Sequence, residues 1–276
     1  MITIKSQEEI KILREGGLRL AQILTELASR ARPGVSSAEL DKLGRELAEK
    51  NGDRPAFLGY KPKGVKTPYP ASVCVSINDE VVHGIPSGEK ILEEGDIVAI
   101  DMGLIHKNLI TDSAVTVIVG GGRGEGGDKD GKNNGNSKDK NGKKAQTLVD
   151  VTKKALQKGI EAALPGNTVG DIGYAIEQFV GPFGYGHAEG LAGHGVGYKV
   201  HEDPFVPNTG KKGDGPALRP GMVIAIEPML TEGAGKVVFD KDGYTVRTKD
   251  GKRSAHFEHT VAITENGNQV LTKTVN

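Results

Sequence analysis

The sequence predicts an α+β fold: two similar halves around a central antiparallel sheet, with helices covering its outer face. Two observations predict it. A plan of helix, Pro-Gly, capped helix and then strands occurs twice along the 276 residues. A strand phrase ending in a carboxylate also occurs twice, with Leu92-x-x-Gly95-x-Ile97-Val98-Ala99-Ile100-Asp101 aligning on Leu218-x-x-Gly221-x-Val223-Ile224-Ala225-Ile226-Glu227. Such self-similarity is the mark of an internal duplication, and two halves that give strands to one sheet bury their helices against it. The expected organisation is a single domain, with halves at about 1–119 and 145–276 and a low-complexity insertion at 120–144.

In chain order, Ser6-x-x-Glu9 is a capping box, and Ile10, Leu13, Leu20, Leu24 and Leu27 follow at helical spacing, predicting a helix to about Ser29 that Pro33-Gly34 terminates. Ser36-x-x-Glu39 caps a second helix carrying Leu40, Leu43 and Leu47, closed by Asn51-Gly52. Ile97 to Ile100 then reads as a buried strand with Asp101 at its exit, and a second β-prone run extends from Leu109 to Ile118. A turn centred between His106 and Lys107 sets Asp101 directly across from Asp112. Gly120 to Lys144 has no large apolar residue, so it reads as a flexible surface insertion that cannot be helical. Within it Asp128-Lys129-Asp130-Gly131 fails as a calcium loop, because the glycine comes too early and no bidentate glutamate follows; its basic excess permits weak contact with RNA.

In the second half Leu156, Ile160 and Ala163 predict a helix beginning near Ala145 and stopped by Pro165-Gly166. Thr168-x-x-Asp171 opens another with Ile172, Ile176 and Phe179. Asp112-Ser113-Ala114-Val115 aligns with Glu258-His259-Thr260-Val261, and a hairpin centred on Asp242-Gly243 sets residue 227 across from 258.

Composition removes several function classes. Lys plus Arg balance Asp plus Glu at 36 each, which argues against a chain built for specific nucleic-acid or anionic-membrane binding. The single cysteine, Cys74, excludes an internal disulfide and fits a reducing compartment. No signal-peptide core opens the chain and no segment approaches a membrane span. A cytoplasmic protein is expected, a monomer by default.

Two carboxylates across a strand pair lie about 5 Å apart and repel; proteins use such a pair to share a proton or to hold a cation. Here four acidic groups, Asp101, Asp112, Glu227 and Glu258, converge on one sheet with no Lys or Arg in the strand cores. One shared proton cannot neutralise four anions, so a divalent metal cluster is predicted. Three histidines join them. His194 stands in Gly193-His194-Gly195-Val196-Gly197, where glycines let backbone approach a ligand; His201 follows seven residues later, and His83 precedes Gly84-Ile85-Pro86. His106, His187, His256 and His259 read as ordinary polar residues. Carboxylates with an imidazole suit Mn, Fe(II), Co or Zn in a two-metal centre, unlike the thiolates of structural zinc.

With these motifs the chain resembles the type I methionine aminopeptidases of the bacterial kind, over nearly everything except Gly120 to Lys144. The specific points are the five-ligand series, the histidine before Gly-Ile-Pro, and the spacing of eleven residues from Asp101 to Asp112. The resemblance implies the pita-bread fold and a hydrolase, a dinuclear metallo-exopeptidase, that removes the initiator methionine from peptides and nascent chains. It implies Asp101, Asp112, His194, Glu227 and Glu258 as metal ligands, with Asp112 and Glu258 bridging two ions. It further implies that a water between the metals attacks the first peptide bond, that Glu227 moves the proton, and that His83 and His201 contact the substrate amide and the oxyanion. Tyr69, Cys74 and Tyr244 match positions of the methionine pocket, while Leu191, Ala192 and Val200 depart from the residues common there. Expected partners are polypeptide N-termini, with a transient ribosome contact compatible with that task. Alternatives are a prolidase or aminopeptidase P, which usually carries an extra N-terminal domain, a type II enzyme with a helical insertion in the second half, and a non-catalytic binding protein that would have lost ligands.

Overall fold

The computed structural model describes residues 1–62, 64–121 and 137–274. The first half contains α1 (Gln7–Arg30), α2 (Ser37–Lys50), β1 (Arg54–Pro55), β2 (Cys74–Ile77), β3 (Glu80–Val82), β4 (Ile97–His106) and β5 (Leu109–Ile118). The second begins with α3 (Ser137–Ala162) and α4 (Val169–Val180), then β6 (Gly186–His187), β7 (Gly193–Gly195), β8 (Glu202–Val206), β9 (Val223–Ile226) and β10 (Met229–Thr231). It ends with β11 (Val237–Phe239), β12 (Val246–Thr248), β13 (Ser254–His256), β14 (Glu258–Thr264) and β15 (Gly267–Val270). Capping boxes form at Ser6/Glu9, Ser36/Glu39 and Thr168/Asp171, each side chain accepting from the third residue's N–H while the acid reaches back. Among the described residues no helix is long and apolar enough to cross a membrane.

One nine-stranded sheet joins the halves in the order β1-β4-β5-β14-β9-β7-β8, with β2 beside β4 and β15 beside β14. Its helix-facing side splits into two cores. Leu20, Leu24 and Leu27 of α1 and Leu40 of α2 pack on Val98, Ile100 and Met102; Leu148, Leu156, Ile172 and Ile176 of α3 and α4 pack on Ile224, Ile226 and Val261. The even positions of β4 are therefore spent on the core, and Asp101 faces the other way.

Two sequence expectations are corrected. Helix α3 starts at Ser137, eight residues before Ala145, so part of the insertion is helical despite its composition. The reason is propagation: once Ala145, Leu148 and Val149 are buried, adding a turn extends an existing helix and carries no nucleation cost. The Asp128–Gly131 motif lies outside the described residues. The second correction is register. Lys107 and Asn108 both take positive φ, 47° and 66°, forming a two-residue hairpin turn that pairs Asp101 with Ala114 and Gly103 with Asp112. The slip is two residues, so both carboxylates stay on one face as diagonal neighbours.

The corresponding register in the second half follows the expectation. β9/β14, β10/β13 and β11/β12 pair as Ile226↔His259, Met229↔His256 and Val237↔Thr248. All three share the centre Asp242-Gly243, where Gly243 supplies φ 81°. They make one long ribbon that leaves the main sheet after β9 and re-enters it at β14, and its register sets position 227 beside 258.

Around His194 the glycines allow close approach of neighbouring strands. A Cβ on Gly193 would stand 2.2 Å from the Ala225 carbonyl oxygen, and one on Gly195 would stand 2.1 Å from that of Asp203. They let β7 press against β9 and β8. Gly195→Ala is therefore expected to destabilise the protein by about 1–3 kcal/mol through overpacking against backbone; a denaturant midpoint equal to that of the parent would contradict this.

Candidate metal centre and active site

The sheet order sets the site. Asp101 on β4, Asp112 on β5, Glu258 on β14, Glu227 just after β9 and His194 on β7 come from five consecutive strands, β4-β5-β14-β9-β7. β5 and β14 meet at the junction of the halves, where Glu258 pairs with Ala114; the Thr260 hydroxyl locks the seam, accepting from the Asp112 N–H at 2.9 Å and donating to its carbonyl at 2.7 Å. Ligand atoms of Asp112, His194 and Glu258 all lie within 4.8 Å of one another. Nε2 of His194 is 3.4 Å from Oε1 of Glu227.

No Lys or Arg is among the described residues that line the site. Asp101, Asp112 and Glu258 are buried, and Asp101 Oδ1, Asp112 Oδ1 and Glu258 Oε1 have no hydrogen-bond partner. Burial, reinforced by Glu227, pushes the Asp112 carboxyl up to about 8, and burial raises Glu227 to about 8. Burial, together with the neighbouring carboxylates, drives Asp101 and Glu258 well above the usual range. Orphaned, mutually repelling oxygens next to an imidazole fit divalent-cation binding. Burial, with the charge of His201, holds His194 neutral at about 3, the form in which imidazole ligates metal.

The five groups floor a cavity of about 210 Å³. His83, His201, Tyr69, Cys74 and Tyr244 line its wall. His83 takes φ 57°, a strained conformation for a non-glycine, and a hydrogen bond to the Tyr244 backbone meets its ring while burial lowers its pKa to about 4. The Tyr69 hydroxyl donates to the Gly84 carbonyl at 3.1 Å, and its ring meets Tyr244 edge-on at 5.1 Å. Burial and the nearby Asp101 raise the Cys74 thiol, which stays protonated. Val200 lines the cavity, whereas Leu191 packs with Val81, Val82 and Met229 away from it. The loop carrying His201 is anchored by the buried Lys5–Glu202 ion pair at 2.7 Å.

Sequence reasoning passed over two residues here. His256, read as an ordinary histidine, is 1% exposed, and its Nε2 is 3.4 Å from Oε2 of Glu227; its position two residues before Glu258, on the same strand face, was the available signal. Tyr60 reaches the cavity through a loop whose path no local pattern announces. The remaining histidines have other duties: His106 contacts Asp53 and Glu15, and His259 bonds Thr272.

Residues 11–265 match metallopeptidase family M24. The methionine aminopeptidase of Aquifex aeolicus is 48% identical over 276 residues, covering 99% of each chain. The crystal structure of the Thermotoga maritima methionine aminopeptidase superposes with a TM-score of 0.87 at 40% identity, covering 99% of this chain and 100% of that one. Prolidase from Pyrococcus furiosus superposes with 0.72 at 25% identity, and only 66% of its chain is covered. The chain thus belongs to metallopeptidase family M24, with the pita-bread fold, and within that family to the methionine aminopeptidases of the bacterial kind.

Proposed function

We infer that the protein removes the N-terminal methionine from peptides and newly made polypeptides, using two divalent cations drawn from Co, Mn, Fe(II) or Zn. The observation that carries this reading is the row of five ligand-type side chains on five consecutive strands, three of them with orphaned carboxylate oxygens, beneath a largely apolar cavity. Asp112 and Glu258, on the two central strands, would hold the cations together with Asp101, His194 and Glu227. Bound there, the cations supply Lewis acidity and lower the pKa of a water. Glu227 accepts a proton and delivers it to the leaving amine. His83 contacts the substrate amide, and His201 donates to the carbonyl oxygen as negative charge develops. Tyr69, Cys74 and Tyr244 receive the methionine side chain, unbranched and polarizable enough to fill an irregular apolar slot. The reaction is assigned to the cytoplasm, which the free thiol of Cys74 supports, and to a monomer that contacts the ribosome transiently.

The discriminating experiment is metal reconstitution followed by assay on Met-Ala-Ser and on Xaa-Pro peptides. Cleavage of the first alone is expected; cleavage of Xaa-Pro would transfer the protein to the prolidases.

Asp112→Asn removes a charge on which both ions depend. Bound metal by elemental analysis and turnover should fall together, turnover by more than about a hundredfold. Normal metal stoichiometry would remove Asp112 from the ligand set.

The carboxylates also set a pH dependence. Unfolded, they ionise near 4; folded and metal-free, Asp112 and Glu227 keep protons to about 8, and Asp101 and Glu258 are likewise raised well above their ordinary values. The native state then binds more protons than the unfolded state, so stability falls as pH rises through the folded values. Histidines act oppositely: His83, His194, His256 and His259 are depressed to about 3–4, so their contribution grows with pH but is complete above about 6.5. The melting temperature of chelated protein should therefore drop from about pH 7 to 8.5, and metal should flatten the profile. A flat profile without metal would contradict the charge balance described for the site.

A further inference from the structure

His201 has a partner that the cluster of acids does not provide. The hydroxyl of Tyr60 lies 2.7 Å from its Nδ1, and the two rings stand 5.4 Å apart at 52°. Tyr60 is held firmly in this place. Its N–H donates to the Phe57 carbonyl at 2.8 Å, and its carbonyl accepts from the Tyr69 N–H at 2.8 Å and from the Tyr244 hydroxyl at 3.3 Å. The Gly59 N–H donates to the Tyr69 carbonyl at 2.9 Å, closing the neck of the loop, and the Tyr244 hydroxyl also reaches the Thr67 carbonyl at 2.6 Å. The phenol is thus delivered to the imidazole from a braced stem.

We propose that Tyr60 is a positioning residue for His201: its O–H donates to Nδ1, which confines the ring's proton to Nε2 and turns that N–H toward the scissile carbonyl oxygen. The proposal rests on the oxyanion role given to His201 above. A neutral imidazole has one donor and one acceptor nitrogen, and the second group's partner decides which is which. Among the described residues the Tyr60 hydroxyl has no acceptor other than Nδ1. Were Nδ1 protonated, it would donate to the phenol oxygen, and Nε2 would turn a lone pair toward the developing anion, a repulsive contact in place of a hydrogen bond. The ring is limited on its other side as well, where it meets His194 edge-on with centroids 4.4 Å apart. His83 is fixed differently, by a backbone group of Tyr244. Tyr244 therefore supports both histidines, one through its main chain and the other through the carbonyl of Tyr60.

The test uses full-length, zinc-loaded protein, which is diamagnetic. Nitrogen-15 imidazole spectra, with His201→Ala to assign the resonance, report the tautomer of His201 in the parent and in Tyr60→Phe, which keeps the ring and loses only the hydroxyl. Steady-state cleavage of Met-Ala-Ser and elemental analysis are run on both, each in the parent and the His201→Ala background. The parent should show the Nε2–H form and Tyr60→Phe a mixture. In Tyr60→Phe kcat should fall about tenfold, the scale of one lost hydrogen bond, with KM and metal content changed by less than about twofold. In the His201→Ala background the second substitution should remove nothing further. An Nδ1–H parent, an unchanged tautomer in Tyr60→Phe, or an equal loss in both backgrounds overturns the proposal. Normal turnover in His201→Ala alone would instead remove the oxyanion role, and the spectra would still decide whether Tyr60 sets the ring.

Discussion

Crowding of three buried carboxylates, Asp101, Asp112 and Glu258, with the partly buried Glu227 is the constraint that the rest of the molecule accommodates. A single acid in an apolar sheet core carries a desolvation cost of several kcal/mol, and burial is the main reason all four lie far above their ordinary range, with the field of neighbouring carboxylates adding to it for Asp101, Asp112 and Glu258. Holding them together without a counter-ion needs rigidity from elsewhere. Apolar strand positions on the helix-facing side supply it, with the leucine stripe of α1 behind β4 and the α3/α4 core behind β9 and β14. Metal binding then returns stability to the fold, because ions that bind only the native state shift its equilibrium by mass action.

Neither half could do this alone. The first contributes Asp101 and Asp112, the second His194, Glu227 and Glu258, and the seam between them is the β5/β14 pair held by Thr260. The repeat is inexact in an instructive way. In the second half the ribbon register sets 227 across from 258, whereas in the first the equivalent pair is offset by two residues. The offset conserves face, since a strand alternates sides with period two, so both halves aim their acids into one cavity.

What the sequence made legible follows the range of the physics. Caps are local, and Ser6, Ser36 and Thr168 with their acids announce helices that form where expected. Asp242-Gly243 is a strong turn signal and fixes a register that persists from residue 239 back to 223. Lys107-Asn108 is weaker, because lysine rarely adopts positive φ, and the centre was misplaced by one residue. The start of α3 at Ser137 depends on burial further along the helix, which composition in a short window does not register. Tyr60 meets His201 across 141 positions of sequence, a contact that only the assembled sheet and loop create.

The same loop bears on why the cavity suits a methionyl rather than a prolyl substrate. Tyr60, Pro62, Val65 and Tyr69, with Phe239 and Tyr244 from the ribbon, line the cavity. The Tyr244 hydroxyl ties the ribbon to this loop through the Tyr60 and Thr67 carbonyls. A slot closed by hydrogen bonds to main-chain carbonyls has a fixed apolar width, which lets it select a side chain by shape. A prolidase must instead select the ring of the second residue, beyond the scissile bond. Rigidity of this kind is what an enzyme specific for an N-terminal side chain requires.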